Sequence, residues 1–536
     1  MKSLTNYFGD SHSLRERLAE VDWPMVGLAL SSAVVALLVL SPMTWLVWRA
    51  AAVDLERAYD LLVSSQTAWV TVNSLGLMLA VTAFSILLGV PLAILTTRTD
   101  LPYARFWTIV AALPLVIPSY IGAIAFVGMF GSGGEVDTLL GVTVPRVDGL
   151  RGAVFIITLY TYPYVFLTTR AALLSMEGSL ADAARTLNAG RFEAFRRITL
   201  PQIRPGIAAG ALLAALYAIS DFGTPAFMQA NVFTSTIYRE FNNFAAEYAA
   251  LLALQLIAIV AVILVIEAGI GRDRDASGGA DTGTAIHLGY WKWPAMGFVS
   301  VLGAVTLLVP IAIFTNWLFR SEGDPIPSLQ FQSEFALNSV YLAVLAAVAA
   351  CVFALPVAYY SGRANSLLSR VLERATYVGF AVPGVVIGLA LVFLGIRTVP
   401  SLYRQGVALL VFAYVVRFLP QAVGTVRSSV LQVDDDTIEA ARTLNAGPLE
   451  TFRRVTLPLI VPGVVAGAVL VFLTTMKELP MTLLLRPIGM DTLVIIIWDA
   501  QDALAYRYAA VPALLLVLIS GLSMLVLLRQ EGSDIS

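Results

Sequence analysis

The chain has 536 residues, 58% hydrophobic and 13% charged, with a mean hydropathy of +0.81 and a formal net charge of −2. A soluble domain carries about 25% charged residues, so this composition describes an integral membrane protein long enough for many spans. The charge balance offers nothing to nucleic acid, the single Cys351 excludes an internal disulfide, and two histidines are too few for a histidine-rich metal site.

Residues 1–23 are polar and of mixed charge and read as a cytoplasmic segment. The apolar run that follows is longer than a signal-peptide core and ends in "MTWLVWR" without a small-residue cleavage site, so it reads as a retained first span. A helix needs about 20 apolar residues to cross the hydrocarbon core. Runs of that kind fall at 24–48, 67–97, 106–130, 152–169, 205–220 and 248–266, then at 293–319, 335–361, 375–396, 405–426, 459–476 and 508–528. The expected fold is an all-α polytopic membrane protein of about twelve transmembrane helices, since runs this long exclude barrel strands. Two six-helix halves, 24–270 and 292–528, flank a polar linker at 271–291 that contains "GRDRDASGGADTG", and 529–536 forms a short tail. If the N-terminus, the linker and the loops after the fourth and tenth spans share one side, that side holds about 22 of the 34 Lys and Arg. The positive-inside rule then places that side, and both termini, in the cytoplasm.

The two halves are copies. An offset of 265 residues pairs Asn73-Ser74 with Asn338-Ser339, Pro91 with Pro356, Arg98 with Arg363 and Pro118 with Pro383. An offset of 257 pairs Pro163 with Pro420, Arg170 with Arg427 and Leu200-Pro201 with Leu457-Pro458. The difference falls in an external loop, "GSGGEVDTLLGVTVPRVDG", which is longer in the first half. With six spans in each half both copies face the same way, so the repeats are parallel and related by an axis along the membrane normal.

"DAARTLNAG" at 182–190 returns as "EAARTLNAG" at 439–447. Ser179 and Asp436 are expected helix N-caps, with Asp182 and Glu439 three positions on completing a capping box. The helix is expected to stop at Asn188-Ala189-Gly190 and Asn445-Ala446-Gly447, since Gly and Asn accept the left-handed C-cap conformation. A second short helix through "FEAFRRITL" and "LETFRRVTL" is expected to stop at Leu-Pro, with the paired arginines at the lipid headgroups. An amphipathic interfacial helix needs only a polarity pattern, whereas here the letters themselves are kept. That suits two knobs docking into matching clefts of a two-fold partner.

This pattern resembles the EAA loop of permease subunits in binding-protein-dependent ABC importers, and the chain is similar to their type I permeases over nearly its whole length. In that family the loop forms a coupling helix seated in a groove of the ATPase subunit. The resemblance carries that role, in loop 179–201, to Asp182, Ala183, Ala184, Gly190, Leu200 and Pro201, and in loop 436–458 to Glu439, Ala440, Ala441, Gly447, Leu457 and Pro458. Asp182 departs from the usual glutamate, and Asn188 and Asn445 stand where the family often has glycine. The chain contains no Gly-Lys pair, so it lacks a phosphate-cradling P-loop. "ASGGAD" in the linker is only superficially like the ABC signature. The resemblance therefore implies two copies of a separate ATPase subunit holding ATP and Mg, no cofactor on this chain, and a periplasmic or extracellular substrate-binding protein. It also implies a place in the lipid of a bacterial cytoplasmic (inner) membrane, with no nucleic-acid partner.

Spans five and eleven continue into "YAISDFGTPAFM" and "FLTTMKELPMTLLL", where the 257 offset sets Asp221 opposite Glu478. Each acid lies 16 residues beyond Pro205 or Pro462, about 24 Å along a helix and so deep toward the outer side. Gly223, Pro225 and Pro480 should break the helices there. Buried ionisable groups face a cavity or a partner, so the acids either line a path or gate, or pair with Lys477, Arg417 or Arg239. Arg417, inside span ten, reads as a structural partner of an acid, and Asn73 and Asn338 as hydrogen-bonding groups between helices. The segments "NVFTSTIYREFNNF" and "GMDTLVIIIWDAQD" are candidate external helices whose aromatic and polar groups would meet a donor protein. "SDFG", "KELPMTLLLRP" and the fusion of both halves in one chain are similar to the ferric-iron permeases of this importer class; related fused permeases carry thiamine, 2-aminoethylphosphonate or polyamines. No metal-ligand set is read from the sequence. An ion-coupled secondary transporter also accommodates parallel repeats but leaves the matched inner loops unexplained, as does a channel or scaffold. No catalytic triad or metal cluster points to an enzyme.

Overall fold

The computed structural model describes residues 23–131, 134–136, 146–176, 193, 195–270, 286–319, 326–364, 366–443 and 447–533. The first half contains α1 (Trp23–Ala51), α2 (Ser65–Arg98), α3 (Ala104–Ala112), α4 (Ser119–Phe130), α5 (Gly149–Leu174), α6 (Leu200–Ser220), α7 (Gly223–Phe227), α8 (Phe233–Asn242) and α9 (Ala246–Ile270). The second contains α10 (Lys292–Gly303), α11 (Val309–Leu318), α12 (Ser333–Arg363), α13 (Leu367–Ala381), α14 (Gly384–Thr398), α15 (Ala408–Leu431) and α16 (Asp435–Thr443). It ends with α17 (Leu457–Met476), α18 (Pro480–Leu485), α19 (Leu493–Asp502) and α20 (Ala510–Ser533). Among the described residues ten helices are long and apolar enough to cross a membrane, or twelve if each of two bent pairs is one span. The one β-type pairing described is an isolated bridge between Thr99 and Ile286.

Spans three and nine are the bent pairs. The run 104–130 turns by 86° between Val116 and Ser119. Ile117 is extended, at φ −87° and ψ 125°, because the ring of Pro118 disfavours helix in the residue before it. The ninth run breaks likewise, with Pro383 at the N-cap of α14. Prolines 91, 163, 205, 356, 420 and 462 sit inside continuous helices, where neighbouring groups satisfy the backbone that each one frees.

The chain forms two compact units, which do not follow the two repeats. One is made from Met1–Pro42, Ala343–Phe380 and Tyr414–Thr475, the other from Met43–Leu342, Ala381–Ala413 and Met476–Ser536. In the larger unit α2, α5 and α6 pack together. Gly210 of α6 lies so close to α5 that a Cβ there would stand 2.9 Å from the Tyr164 carbonyl oxygen. In the smaller unit Gly467 of α17 approaches α15 the same way, its Cβ position 3.0 Å from the Ala422 Cα. Small residues at these crossings bring backbones close enough for dispersion to hold helices that lipid would otherwise solvate equally well.

The paired arginines Arg98 and Arg363 each bond a backbone carbonyl near the end of a long helix, though at positions three residues apart in the repeat, since Leu173 pairs with Val430. The Arg98 guanidinium donates to the Leu173 carbonyl at 2.8 Å, and Arg363 to the Val433 carbonyl at 3.0 Å. The end of the linker is ordered rather than flexible: Asp100 accepts from the Leu288 N–H at 2.8 Å and meets His287 Nδ1 at 3.1 Å. The Leu288 amide, then His287, holds the Asp100 carboxyl below its ordinary range. Residues 271–285 of the linker lie outside the described residues.

Candidate functional sites: the inner loop and the broken spans

Asp182, Ala183, Ala184, Gly190 and the expected N-cap Ser179 lie outside the described residues, so the inner loop is seen in its second copy. There α16 runs from Asp435 to Thr443, beginning one residue before the expected cap Asp436. The shift has a cause: Arg363 grips the Asp435 carboxylate while also holding the Val433 carbonyl, which fixes the chain at the helix start. Ile438 is the buried side chain of the helix's middle turn; Glu439 and Ala440 are exposed and Ala441 is partly covered. Gly447 is extended, at φ −64° and ψ 163°, and N-caps the short helix Pro448–Thr451. The expected left-handed cap is therefore absent at Gly447, because Pro448 opens a new helix at once and favours an extended residue before it.

Leu-Pro does not end the second short helix either. Phe452–Thr456 is a π-turn that runs directly into α17 at Leu457-Pro458, and Phe195–Thr199 is a π-turn running into α6 at Leu200-Pro201. A π-turn widens the ladder and lets a proline without an N–H follow in the same rod. Leu200 and Leu457 are half-buried and Pro201 and Pro458 exposed. Arg197 pairs with Glu193 at 3.1 Å and Arg454 with Glu450 at 3.0 Å, both on exposed surface.

At the other end of these rods both spans break beside their acids. α6 stops at Ser220 and α7 starts at Gly223; α17 stops at Met476 and α18 starts at Pro480. Asp221 Oδ2 accepts from Ser119 Oγ at 2.9 Å, and that Oγ also lies 3.0 Å from the Tyr217 hydroxyl. The Asp221 carbonyl accepts from Thr234 Oγ1 at 2.7 Å. Glu478 is 8% exposed and its carbonyl accepts from Thr482 Oγ1. Neither suggested partner in this unit engages Asp221: Lys477 Nζ donates to the Leu115 carbonyl at 3.1 Å, and Arg239 donates to Asn231 Oδ1 at 2.7 Å. Arg417 lies over the Phe418 ring at 5.8 Å. Tyr217, Ser119 and Tyr120 were not picked out from sequence; Tyr217 stands four residues before Asp221, one helical turn away on the same face.

The outer helices α8 and α19 are fastened by the repeated Asn-Ser pairs. Asn73 Nδ2 donates to the Asn231 carbonyl at 3.1 Å and Asn338 Nδ2 to the Asp491 carbonyl at 2.9 Å. Ser74 Oγ accepts the Phe233 N–H at 2.8 Å and Ser339 Oγ the Leu493 N–H at 2.9 Å. Two of the aromatics expected to face a donor turn inward instead: Trp498 stacks on Phe222 at 5.4 Å and meets Tyr238 at 5.5 Å. What points outward is Phe244, 97% exposed, and Leu504, 70% exposed. They follow α8 and α19 in the left-handed conformation, at φ 62° and 52°. Each sits in a helix-ending Schellman arrangement, with Ala245 N–H to the Glu240 carbonyl at 2.9 Å and Ala505 N–H to the Ala500 carbonyl at 2.8 Å. Glycine is the usual residue there.

One helical pattern used twice, each copy with an interrupted span carrying an acid, defines a duplicated multi-spanning membrane protein. The family described as binding-protein-dependent transport system inner membrane component matches residues 85–271 and again 354–530, and the chain belongs to it. The chain is 31% identical over 497 residues to the Fe(3+)-transport system permease protein FbpB 2 of Haemophilus influenzae, covering 91% of this chain and 94% of that one. It is 26% identical over 465 residues to the probable ABC transporter permease protein y4fN of Sinorhizobium fredii, covering 80% and 81%. It is 24% identical over 433 residues to the ferric transport system permease protein FbpB of Actinobacillus pleuropneumoniae, covering 75% and 62%.

Proposed function

We propose that this chain is the transmembrane subunit of a binding-protein-dependent ABC importer that carries ferric iron across a bacterial inner membrane. The observation that carries the cargo is the 31% identity that runs the length of both chains to an Fe(3+)-transport permease. Two copies of an ATPase subunit, holding ATP and Mg, grip the inner loops 179–201 and 436–458, and this chain binds neither. Asp182, Ala183, Ala184 and Gly190 in one loop, and Glu439, Ala440, Ala441 and Gly447 in the other, form the coupling surfaces. Leu200-Pro201 and Leu457-Pro458 pass the motion into α6 and α17. Both termini lie in the cytoplasm, lipid surrounds the spans, and a substrate-binding protein meets the outer face at Phe244 and Leu504.

Mechanically, α16 is a lever with little of its own surface buried, so a partner can seat on Glu439 and Ala440 without unfolding it. The rod from the π-turn to the end of α17 is continuous, so displacement of the inner loop reaches the break at Lys477–Leu479. Movement there opens or closes the region of Asp221 and Glu478.

The test is reconstitution of this chain with its ATPase in proteoliposomes, using iron-loaded binding protein. ATP hydrolysis and iron uptake should rise together, and Ala440→Trp should cut the stimulated hydrolysis at least about tenfold, a loss of ~1.4 kcal/mol in coupling. Stimulation by a thiamine-, 2-aminoethylphosphonate- or polyamine-loaded binding protein in place of the iron-loaded one would overturn the cargo. Uptake driven by an ion gradient without the ATPase would overturn the class.

A further inference from the structure

We propose that the Tyr120 hydroxyl, together with Tyr217, joins Asp221 and Glu478 in an all-oxygen transit site that ligates the ferric ion during passage. The proposal rests on the iron reading above.

Tyr120 is the second residue of α4, just past the bend at Pro118. Its side chain is 4% exposed, and its hydroxyl has no hydrogen-bond partner. The ionisable groups near enough to act on that hydroxyl are Glu478, Tyr217 and Asp221. The ring is held rigidly: a Cβ on Gly223 would stand 2.7 Å from the Tyr120 Cβ, and Phe227 packs edge-on at 6.2 Å between centroids. Ser119, its neighbour, ties Asp221 and Tyr217 together. A buried unpaired hydroxyl is costly, and phenylalanine would fill the same space without that cost. The hydroxyl is therefore left able to take a partner that the chain does not supply.

The donor chemistry selects the partner. Among the described residues no three His, Cys, Asp or Glu side chains converge, so the nitrogen and sulfur donors that suit zinc or copper are not gathered anywhere. The ionisable groups around the Tyr120 hydroxyl are two carboxyls and a second phenol, all oxygen donors. Oxygen donors suit hard cations, and a tyrosine phenolate is a known ligand of iron. On binding, each ligating phenol releases one proton and forms one O–Fe bond; iron stays ferric throughout. Lys477, the residue before Glu478, donates to the Leu115 carbonyl at 3.1 Å.

The internal repeat supports a chemical rather than a structural role. The 257 offset keeps an acid in both halves, Asp221 and Glu478, but the same offset turns Tyr217 into Thr474. The 265 offset turns Ser119-Tyr120 into Gly384-Val385. The second copy of the bend folds without either phenol, so the fold does not require them.

The experiment uses the complete reconstituted transporter and ferric nitrilotriacetate as the probe. Ferric iron bound to a phenolate absorbs visible light by charge transfer, a readout independent of transport. The wild-type complex should develop this band on titration. Tyr120→Phe should weaken the band and lower iron uptake by about tenfold or more. Tyr162→Phe, which removes another fully buried phenol hydroxyl, should leave both unchanged and so reports on folding. Wild-type uptake by Tyr120→Phe, or a wild-type complex that moves iron yet shows no band, overturns the site while leaving the cargo intact. A wild-type complex that moves no iron overturns the cargo reading and the site with it.

Discussion

Removing the hydroxyls of Ser74 and Ser339 tests how the outer helices are held. Each Oγ is buried and does two jobs. Ser74 donates to the Val70 carbonyl at 2.7 Å and accepts the Phe233 N–H at 2.8 Å; Ser339 donates to the Phe335 carbonyl at 2.9 Å and accepts the Leu493 N–H at 2.9 Å. Phe233 and Leu493 open α8 and α19, and first-turn amides have no partner within their own helix. Ser→Ala therefore leaves one buried amide unpaired at each site, costing about 1–3 kcal/mol apiece. The two sites share no partner, so the double variant should lose about 2–6 kcal/mol. Asn73 and Asn338 still hold the neighbouring carbonyls, so the loss is one of stability rather than a rearrangement. Ser85→Ala is the control. It removes an equally buried hydroxyl 3.0 Å from Thr161 Oγ1, but Thr161 keeps its bond to the Ile157 carbonyl at 2.8 Å, so the loss should stay near ~1 kcal/mol. Unfolding in mixed micelles, followed by tryptophan fluorescence, measures all three. A double variant no less stable than Ser85→Ala would refute the reasoning.

Gly447→Ala should change stability by less than about 0.5 kcal/mol, since φ is negative and nothing lies within 4 Å of the new Cβ. A loss of ~1 kcal/mol in thermal unfolding would instead restore the left-handed cap. Phe244→Gly with Leu504→Gly should stabilise each helix end by about 0.5–1 kcal/mol, as strain is relieved against the extra freedom of unfolded glycine. The same change should weaken the hold of the binding protein, read by surface plasmon resonance on nanodisc-embedded complex. Unchanged affinity would remove these two side chains from the docking surface.

Much of the fold was legible because lipid imposes few rules. Uncharged runs located the spans, and the 257 offset located the matched close approaches at Gly210 and Gly467. The bends at Pro118 and Pro383 were less legible, since other prolines sit in unbroken helices and only the surroundings decide which one breaks. The π-turns before Pro201 and Pro458 were hidden for the same reason: a proline signals a stop unless the ladder widens ahead of it. At the acids, sequence found Asp221 and Glu478 from the offset and the deep position. It missed Ser119, Tyr120 and Tyr217 because the repeat does not duplicate them, and a search by symmetry passes over what one copy holds alone. The inward turn of Trp498 was not legible either, since an aromatic on an amphipathic helix faces a partner or a core with the same letters.

That difference between what repeats and what does not has a mechanical logic. On the function proposed above, two identical ATPase subunits would present two identical clefts, which calls for copied inner loops and copied rods, and π-turns recur at Phe195–Thr199 and Phe452–Thr456 where the rods begin. A single transported ion would impose no such demand. One copy is free to bring Ser119, Tyr120 and Tyr217 to its acid while the other brings Lys477. Fusion of both halves in one chain is what permits this division: two separately encoded identical halves would have to carry either two sets of phenols or none.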